Sequence, residues 1–454
     1  MSEQPILIRG ARLIDPLTGT DATGDLLLVD GRIAPLGKAD GAPADARVIE
    51  AKGLVAAPGF IDLHTHLREP GYEDKESIAT GAAAGARGGF TTLCSMPNTN
   101  PATDTGAVAA FIRAQAAAAG PVRVLPFGAV TRGRAGKELT DMEELARAGV
   151  VGFTDDGAPV ATPGLMRSAL AYASQLGLFV SDHCEDYALT RGLGIHDGWV
   201  ADRLGLAGYP SAAEANIVAR DIAAAEETGA HLHIAHISTA AAVALVRAAQ
   251  ERGLRVTAEA TPHHLTLTEE WVLGTHGHSA PGDALEPGAY DTRAKVSPPL
   301  RSHADRAAVA QALADGVIAA VATDHAPHTF GDKAVPFDEA SVGISVLETA
   351  LGSMLGLVSA GALTLPALVQ RLTAGPASVL GPAYKPYATL AAGTPADVVL
   401  FDPGEAWTVD AAAFASKGRN TPLDGDALTG RVKLTIAQGR VAYDGLTQTT
   451  PRSR

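Results

Sequence analysis

Cysteine is scarce in this sequence, because the 454 residues include only Cys94 and Cys184. Two cysteines in so long a chain argue against a fold held together by disulfide bonds. There is no run of about 18 apolar residues, which argues against a membrane-spanning helix. The first residues, MSEQPILIRGARLID, lack both a basic segment and a long apolar segment. We therefore expect no signal peptide and a cytoplasmic location.

Positive charge is also in short supply. Lysine and arginine number 36 against 50 aspartates and glutamates, so the formal net charge is -14. A nucleic-acid-binding surface needs clustered lysine and arginine, and this balance argues against general nucleic-acid binding. An anionic small molecule stays compatible with the composition, because one arginine or a bound metal ion reverses the electrostatic field locally.

The middle of the chain alternates apolar strand patterns with helical patterns. Eight strand-like segments are GFIDLHTH, GFTTLCSMP, VRVLPFGAV, GVVGFTDDG, LGLFVSDHCED, AHLHIAHIS, LRVTAEATPHH and GVIAAVATDHAPH. Each begins nearly continuously apolar, as expected for a strand covered on both faces. Alanine-rich runs such as AAFIRAQAAAAG have the apolar spacing of helices. Eight such units in roughly 270 residues predict an α/β fold of the (β/α)8 TIM-barrel type.

The two ends of the chain have a different character from its middle. Both contain short strand patterns separated by glycine and aspartate, without a helical period. We interpret residues 1–57 and 386–454 as the two parts of one small β-sandwich domain. Residues 58–385 form the predicted barrel.

Polar side chains lie at the carboxyl ends of the eight segments, which is where such a barrel builds its active site. They are His64, His66, Asn98, Asp155, Asp156, His183, His236, His263, His264 and Asp324. His64 and His66 share one face of the first segment, because side chains alternate along a strand. Alternation does not choose among the three histidines of AHLHIAHIS, which are His231, His233 and His236.

Imidazole and carboxylate groups without a thiolate are typical ligands of zinc or manganese at a hydrolytic site. The candidates are His64 with His66 for one ion, His183 with His236 for a second ion, Asp324, and one of Asp155 or Asp156. Two ions about 3.5–4 Å apart lower the pKa of a water to about 7 and polarise a carbonyl group. A carboxylate that faces both metal and substrate is well placed to move a proton, and Asp324 is the candidate.

Five motifs together resemble the dihydroorotases of the class I bacterial type, within the amidohydrolase superfamily. They are DLHTHLREPG, SMPNT, TDDG, DHAPH and GTPADVVLFD, and the similarity spans nearly the whole chain. The combination of HxHLREPG with MPNT is much more specific than His-x-His alone. The resemblance implies a cofactor of two divalent metal ions, with Zn2+ as the expected metal.

The resemblance also implies which residues bind the metal ions. The implied ligands are His64, His66, Asp156, His183, His236 and Asp324. Family spacing favours Asp156 over Asp155 as the bridging carboxylate, and the HIAHIST segment matches the family at His236. No lysine lies in the fourth segment, so the carboxylated lysine that bridges the metal ions of hydantoinases is not expected.

The substrate contacts implied by the resemblance come from several segments. They are His66, Arg68, Asn98, Ser297, His328, Val342 and Gly343. Arg68 and Asn98 would hold the substrate carboxylate with help from His328, since a planar guanidinium bonds a carboxylate in a bidentate fork. Two positions depart from the family pattern, because Ser297 replaces an asparagine and Val342 a phenylalanine of many relatives.

The expected function is therefore the reversible, metal-dependent cyclisation of N-carbamoyl-L-aspartate to L-dihydroorotate in pyrimidine biosynthesis, with Asp324 as catalytic proton shuttle. One alternative is a cyclic amidase of the hydantoinase or allantoinase type, against which MPNT and the missing lysine argue. A second is a non-catalytic homologue that serves as a structural partner of aspartate transcarbamoylase, against which the filled ligand positions argue. An active enzyme is compatible with a homodimer and with such a complex. The sequence leaves open whether HTFGDKAVPFDEA is a lid or an ordinary surface loop.

Overall fold

The computed structural model describes residues 4–35, 42–190, 193–276 and 285–446. The outer ends of the two predicted β segments, residues 1–3 and 447–454, lie outside the described residues. Within the described part of the chain, no helix combines the length and the apolar character needed to cross a bilayer.

The described residues contain fifteen strands and fourteen α-helices. The strands are β1 (Ile6–Asp15), β2 (Thr20–Val29), β3 (Arg32–Ile33), β4 (Arg47–Glu50), β5 (Val55–Pro58), β6 (Phe60–Thr65), β7 (Phe90–Ser95), β8 (Arg123–Pro126), β9 (Val180–Asp182), β10 (Leu232–Ile234), β11 (Val256–Ala260), β12 (Ala320–Val321), β13 (Val398–Thr408), β14 (Ala427–Ala437) and β15 (Arg440–Asp444). The α-helices are α1 (Ile78–Arg87), α2 (Gly106–Ala119), α3 (Met142–Arg147), α4 (Pro163–Gln175), α5 (Tyr187–Thr190), α6 (Trp199–Leu204), α7 (Ala212–Thr228), α8 (Ala240–Glu251), α9 (Pro262–Thr266), α10 (His303–Asp315), α11 (Phe330–Lys333), α12 (Ala350–Ser359), α13 (Leu365–Leu372) and α14 (Ala374–Leu380).

Both ends of the chain contribute to one eight-stranded sheet. Its order is β15-β14-β13-β5-β1-β2-β3, with β4 paired to β1. The two ends meet where β13 runs antiparallel to β5 and Val398 pairs with Pro58. Ile8 on β1, Leu26 on β2 and Ile436 on β14 are buried in the core of this sheet. The chain therefore enters the middle region through β5 and leaves it through β13, which are neighbours.

Seven of the eight predicted middle segments form strands, and all their pairings are parallel. The sheets are β6-β7-β8 and β12-β11-β10-β9. The expectation of a regular strand in the fourth segment, GVVGFTDDG, is wrong, because Phe153 alone forms bridges there, to Gly128 and to Val180. At the other side, His325 bridges to Thr65 after the end of β12. These single bridges connect the two parallel sheets on both sides.

Local sequence signals explain where several helices begin. Thr239 caps α8 by accepting a hydrogen bond from the amide of Ala242, and Ser302 caps α10 in the same manner. Such a side chain satisfies an amide that has no partner within the helix. The alanine-rich stretch AAFIRAQAAAAG lies in α2, whose buried residues Ala109, Ile112 and Ala116 follow helical spacing. The prediction of a helix from this stretch is confirmed.

Candidate active site

A cluster of buried imidazoles and carboxylates lies at the carboxyl ends of the parallel strands. Its members are His64, His66, Asp156, His183, His236 and Asp324. Two subsets have ligand atoms within 4.8 Å of one another and so have the spacing of a metal site. One consists of His64, His66 and Asp324, and the other of His64, Asp156 and His236.

Asp324 lies beside His64, which is in β6, and His66, which directly follows β6. Its Oδ1 is 2.9 Å from Nε2 of His66 and 3.5 Å from Nε2 of His64. Burial alone would raise the pKa of Asp324, but the charges and hydrogen bonds of His64, His66 and His236 lower that pKa below its usual range. The carboxylate is therefore ionised at neutral pH and able to accept a proton.

The structure places Asp156, and not Asp155, among the histidines. Oδ1 of Asp156 is 3.2 Å from Nε2 of His64 and 3.6 Å from Nε2 of His236. Asp155 points away, since its carboxylate accepts hydrogen bonds from the backbone amide and the hydroxyl of Thr131. The two neighbouring aspartates thus face different partners, which spacing along the sequence could not establish.

The structure also separates the three histidines of the sixth predicted strand. His231 and His233 bond to the hydroxyl of Thr257, at 2.9 and 2.8 Å. Only His236 reaches the cluster, where its Nε2 lies 2.8 Å from Nδ1 of His183. His236 follows the end of β10 and has a φ of 28°. Because the chain has left the extended conformation there, alternation along the strand no longer predicts where this side chain points.

Several atoms of the cluster have no hydrogen-bond partner among the described residues. Nε2 of His64 and Oδ1 of Asp156 are both buried and unpartnered, although they lie 3.2 Å apart. A buried polar atom without a partner costs about 1–3 kcal/mol. A bound cation with imidazole and carboxylate ligands would compensate both atoms. The residues present therefore fit a metal ion.

Glu259 on β11 bonds to His64 of the cluster, and sequence reasoning missed it. Its carboxylate lies 2.8 Å from Nδ1 of His64 and 3.1 Å from Nε2 of His233. Burial would raise the pKa of Glu259, but its bonds to these two imidazoles lower that pKa to about 2. An ionised Glu259 accepts a hydrogen bond from Nδ1 of His64 and so orients the ring with Nε2 toward Asp156, as carboxylates behind metal-binding histidines commonly do.

Glu185 has the same relation to His183. Its Oε2 lies 2.8 Å from Nε2 of His183, so that Nδ1 faces His236. The signal for both glutamates was present in the sequence, since each is an acidic residue in a predicted strand or directly after it. Their partners could be identified only from the folded chain.

A cavity of about 760 Å3 opens above the cluster. All predicted substrate contacts line it: His66, Arg68, Asn98, Ser297, His328, Val342 and Gly343. Sequence reasoning missed seven further lining residues, which are Gly157, Glu185, Tyr187, Leu193, Val296, Ala326 and Ser341. The cavity thus has the metal-site candidates at its base and an arginine, an asparagine and a histidine on its wall.

Asn98 and Arg68 are oriented by their neighbours. The amide oxygen of Asn98 lies 2.9 Å from Nδ1 of His66, and the rest of the amide group can only donate hydrogen bonds. Arg68 donates from Nε to the carbonyl of Pro327 at 3.3 Å. Both side chains therefore present donors to the cavity, which suits an anionic group.

The two departures from the family pattern lie on the cavity wall. The hydroxyl of Ser297 donates to Glu185 at 3.4 Å. Val342 is 39% exposed, and its carbonyl oxygen lies 2.9 Å from Nε2 of His328. Ser297 therefore contacts Glu185, the residue that bonds to His183. The contact between Val342 and His328 comes from the backbone and does not depend on the valine side chain.

The segment HTFGDKAVPFDEA contains a buried ammonium group that bonds to backbone outside the segment. Nζ of Lys333 donates to the carbonyl oxygens of Thr292, Lys295 and Ser341, at 3.0, 3.2 and 2.6 Å. Burial and the nearby charge of Lys295 lower the pKa of Lys333 to about 7. These bonds anchor the cavity wall that contains Ser341, while Phe330 on α11 is exposed.

The chain is similar to proteins of known family and structure. Residues 53–242 match the family described as Dihydro-orotase-like. The dihydroorotase of Pelotomaculum thermopropionicum is 50% identical over 96% of this chain and 98% of the relative. That of Anaeromyxobacter dehalogenans strain 2CP-1 is 49% identical over 97% of this chain and 98% of the relative.

Solved structures show the same overall fold. The dihydropyrimidinase of Brevibacillus agri NCHU1002 superimposes with a TM-score of 0.83 at 24% identity, over 97% of this chain and 95% of that chain. The L-hydantoinase of Arthrobacter aurescens also gives a TM-score of 0.83 at 24% identity, over 98% and 97%.

Proposed function

The chain belongs to the dihydroorotase family, and on that premise we propose that it interconverts N-carbamoyl-L-aspartate and L-dihydroorotate in pyrimidine biosynthesis. The resemblance found in its motifs is confirmed, and the protein is a cyclic amidohydrolase. The observation that carries the proposal is the cluster of imidazoles and carboxylates at the base of a cavity whose wall holds Arg68 and Asn98. The substrate is a small molecule.

We further propose that the parallel strands close into a (β/α)8 barrel over residues 58–385. The bridges of Phe153 to its two neighbours and of His325 to Thr65 support this closure. Residues 1–57 and 386–454 would form the β-sandwich domain, which the pairing of β13 with β5 supports. This arrangement accounts for six groups from distant parts of the chain meeting at one end of the strands.

The cofactor we propose is two divalent metal ions, with Zn2+ as the expected metal. The residues that would hold them are His64, His66, Asp156, His183, His236 and Asp324. Bound in this way, such ions lower the pKa of a water and polarise a carbonyl group. Glu259 and Glu185 would keep His64 and His183 in the tautomers that turn a bare nitrogen toward the site.

The remaining steps of the proposed mechanism belong to the side chains of this chain. Arg68 and Asn98 bind the carboxylate of L-dihydroorotate and place the ring amide above the cluster. Water attacks the ring carbonyl, and Asp324 accepts the proton that the water loses. The carbon–nitrogen bond then breaks as Asp324 passes this proton to the leaving nitrogen. Cyclisation follows the same steps in reverse.

Turnover of L-dihydroorotate by the purified, zinc-loaded protein tests this function. We expect ring opening of L-dihydroorotate and only weak turnover of hydantoin, dihydrouracil and allantoin, because these lack the carboxylate that Arg68 and Asn98 would bind. A preference for one of the uncharged rings would instead support the hydantoinase or allantoinase alternative. No turnover of any ring would support the non-catalytic alternative. A homodimer, a complex with aspartate transcarbamoylase and a cytoplasmic location stay predictions from the sequence.

Arg68→Ala is expected to weaken substrate binding more than the chemical step. A hydrogen bond to a charged group contributes about 1.5–3 kcal/mol, so KM for L-dihydroorotate should rise on the order of 10- to 100-fold. Steady-state kinetics measure this effect, and Arg68→Lys serves as the control that keeps the charge but loses the bidentate fork. An unchanged KM with a lowered kcat would contradict the assigned role.

A further inference from the structure

His328 lies on the cavity wall among groups that define its protonation. It is 8% exposed, and its Nε2 is 2.9 Å from the carbonyl oxygen of Val342. On the other side of the ring, Nδ1 is 3.4 Å from Nζ of Lys75. Nδ1 is also 3.7 Å from Oδ2 of Asp332, which is too long for a hydrogen bond. Nε2 therefore lies closest to the carbonyl oxygen of Val342, and Nδ1 lies closest to the ammonium group of Lys75.

These two partners select one tautomer of the ring. A carbonyl oxygen only accepts hydrogen bonds, so the contact with Val342 requires a proton on Nε2 of His328. An ammonium group only donates, so the contact with Lys75 requires a lone pair on Nδ1. His328 is therefore neutral, with its proton on Nε2.

Charge around the ring favours the same neutral form. Burial and then the positive charges of Arg68, Lys333 and Lys75 lower the pKa of His328 to about 2. Asp332 is the negative group on this side, and its carboxylate forms an ion pair with Lys75, with Oδ2 3.3 Å from Nζ. The imidazole therefore contributes a neutral donor to the cavity wall.

This tautomer determines what Arg68 can do. Nη2 of Arg68 lies 3.3 Å from Nε2 of His328. A protonated Nε2 cannot accept a hydrogen bond, so this guanidinium nitrogen keeps its donors for another acceptor. In the opposite tautomer, Nδ1 would donate to Asp332 after a small movement, and Nε2 would accept from Arg68. That arrangement would occupy Arg68 and release the carbonyl of Val342.

We propose that Lys75 is a positioning residue, which donates to Nδ1 of His328 and so keeps Arg68 free to bind the substrate carboxylate. Lys75 lies after β6, whereas His328 and Asp332 follow β12, so this contact joins two loops at the mouth of the cavity. Lys75 acts on the substrate through His328 and Arg68. Binding of the substrate carboxylate by Arg68 rests on the proposed function. The tautomer of His328 does not depend on that function.

The tautomer can be observed directly by NMR of the zinc-loaded full chain labelled with 15N-histidine. Long-range 1H–15N correlation spectra distinguish a protonated Nε2 from a protonated Nδ1, and the spectrum of His328→Gln identifies the signals of His328. We expect a protonated Nε2 in the wild type and in Lys75→Gln, whose amide can also donate. We expect a protonated Nδ1 in Lys75→Met, which cannot donate.

Steady-state kinetics of the same variants test whether the tautomer of His328 affects substrate binding. In Lys75→Met, KM for L-dihydroorotate should rise about tenfold while kcat stays within about threefold, as expected for the loss of one hydrogen-bonded arrangement in the bound state. Lys75→Gln and Lys75→Arg should restore most of this loss. Lys52→Met is the matched control, because Lys52 is exposed in the turn between β4 and β5, and it should leave KM and the spectra unchanged.

Two results would overturn the proposal. One is a protonated Nδ1 in the wild type. The other is an unchanged His328 spectrum in Lys75→Met, even if KM rises, because Lys75 would then act through its charge alone. If Lys75→Met does not fold, Lys75→Arg and Lys75→Gln decide the matter, since loss of the Nε2 proton in both variants overturns the proposal. Absence of wild-type turnover would contradict the proposed function, and the spectra would still support or refute the positioning of His328.

Discussion

Asp324→Ala is expected to lower kcat for the ring opening of L-dihydroorotate by about a thousandfold or more. Its carboxylate faces both the cavity and the imidazoles, with Oδ1 2.9 Å from Nε2 of His66. Because the surrounding imidazoles lower its pKa, Asp324 starts as a base and can receive the proton of the attacking water. General acid–base catalysis contributes about 10²- to 10⁴-fold, and loss of a proposed metal ligand adds to that effect.

A second substitution separates these two contributions at Asp324. Asp324→Asn keeps the size of the side chain and one oxygen, but it cannot carry a proton between water and nitrogen. Steady-state kinetics beside metal analysis of both variants measure each contribution. Full metal content with a loss of kcat in Asp324→Asn would support the proton shuttle. Activity retained in both variants would contradict that role.

Removal of metal ions by a chelator is expected to abolish turnover, and addition of Zn2+ should restore it. The reason lies in the cluster, where Nε2 of His64 and Oδ1 of Asp156 are buried without partners among the described residues. A ligand that binds only the folded state also stabilises it, so the midpoint of thermal unfolding should fall on chelation. Turnover, metal content and thermal unfolding of the same samples test this prediction. Full turnover at negligible metal content would contradict it.

Two neighbouring aspartates provide the matched comparison for this experiment. Asp156→Asn should reduce the metal content, because Asp156 contacts His64 and His236. Asp155→Asn should retain the metal, because the carboxylate of Asp155 bonds to Thr131 instead. Equal loss of metal in both variants would show that the local fold, and not ligation, explains the effect.

The chemistry of the site could be predicted from local patterns in the sequence. His64 and His66 share a face because side chains alternate along a strand, and the structure places both beside Asp324. The motifs predicted the family, which the relatives confirm. The Ser297 and Val342 departures were also visible, and both residues line the cavity. These features depend on residue type and on spacing within one segment.

Other features required the folded chain. The backbone has positive φ at His236 and Asp324, so strand periodicity stops predicting side-chain direction where the site is built. The sequence could not pair His64 with Glu259, which lies on another strand, or Lys75 with His328, which lies on another loop. The sequence by itself thus determined which ligand types this protein offers and in which segments. Only the tertiary structure decided which of them face one another, because that depends on how distant strands pack and how the chain turns at their ends.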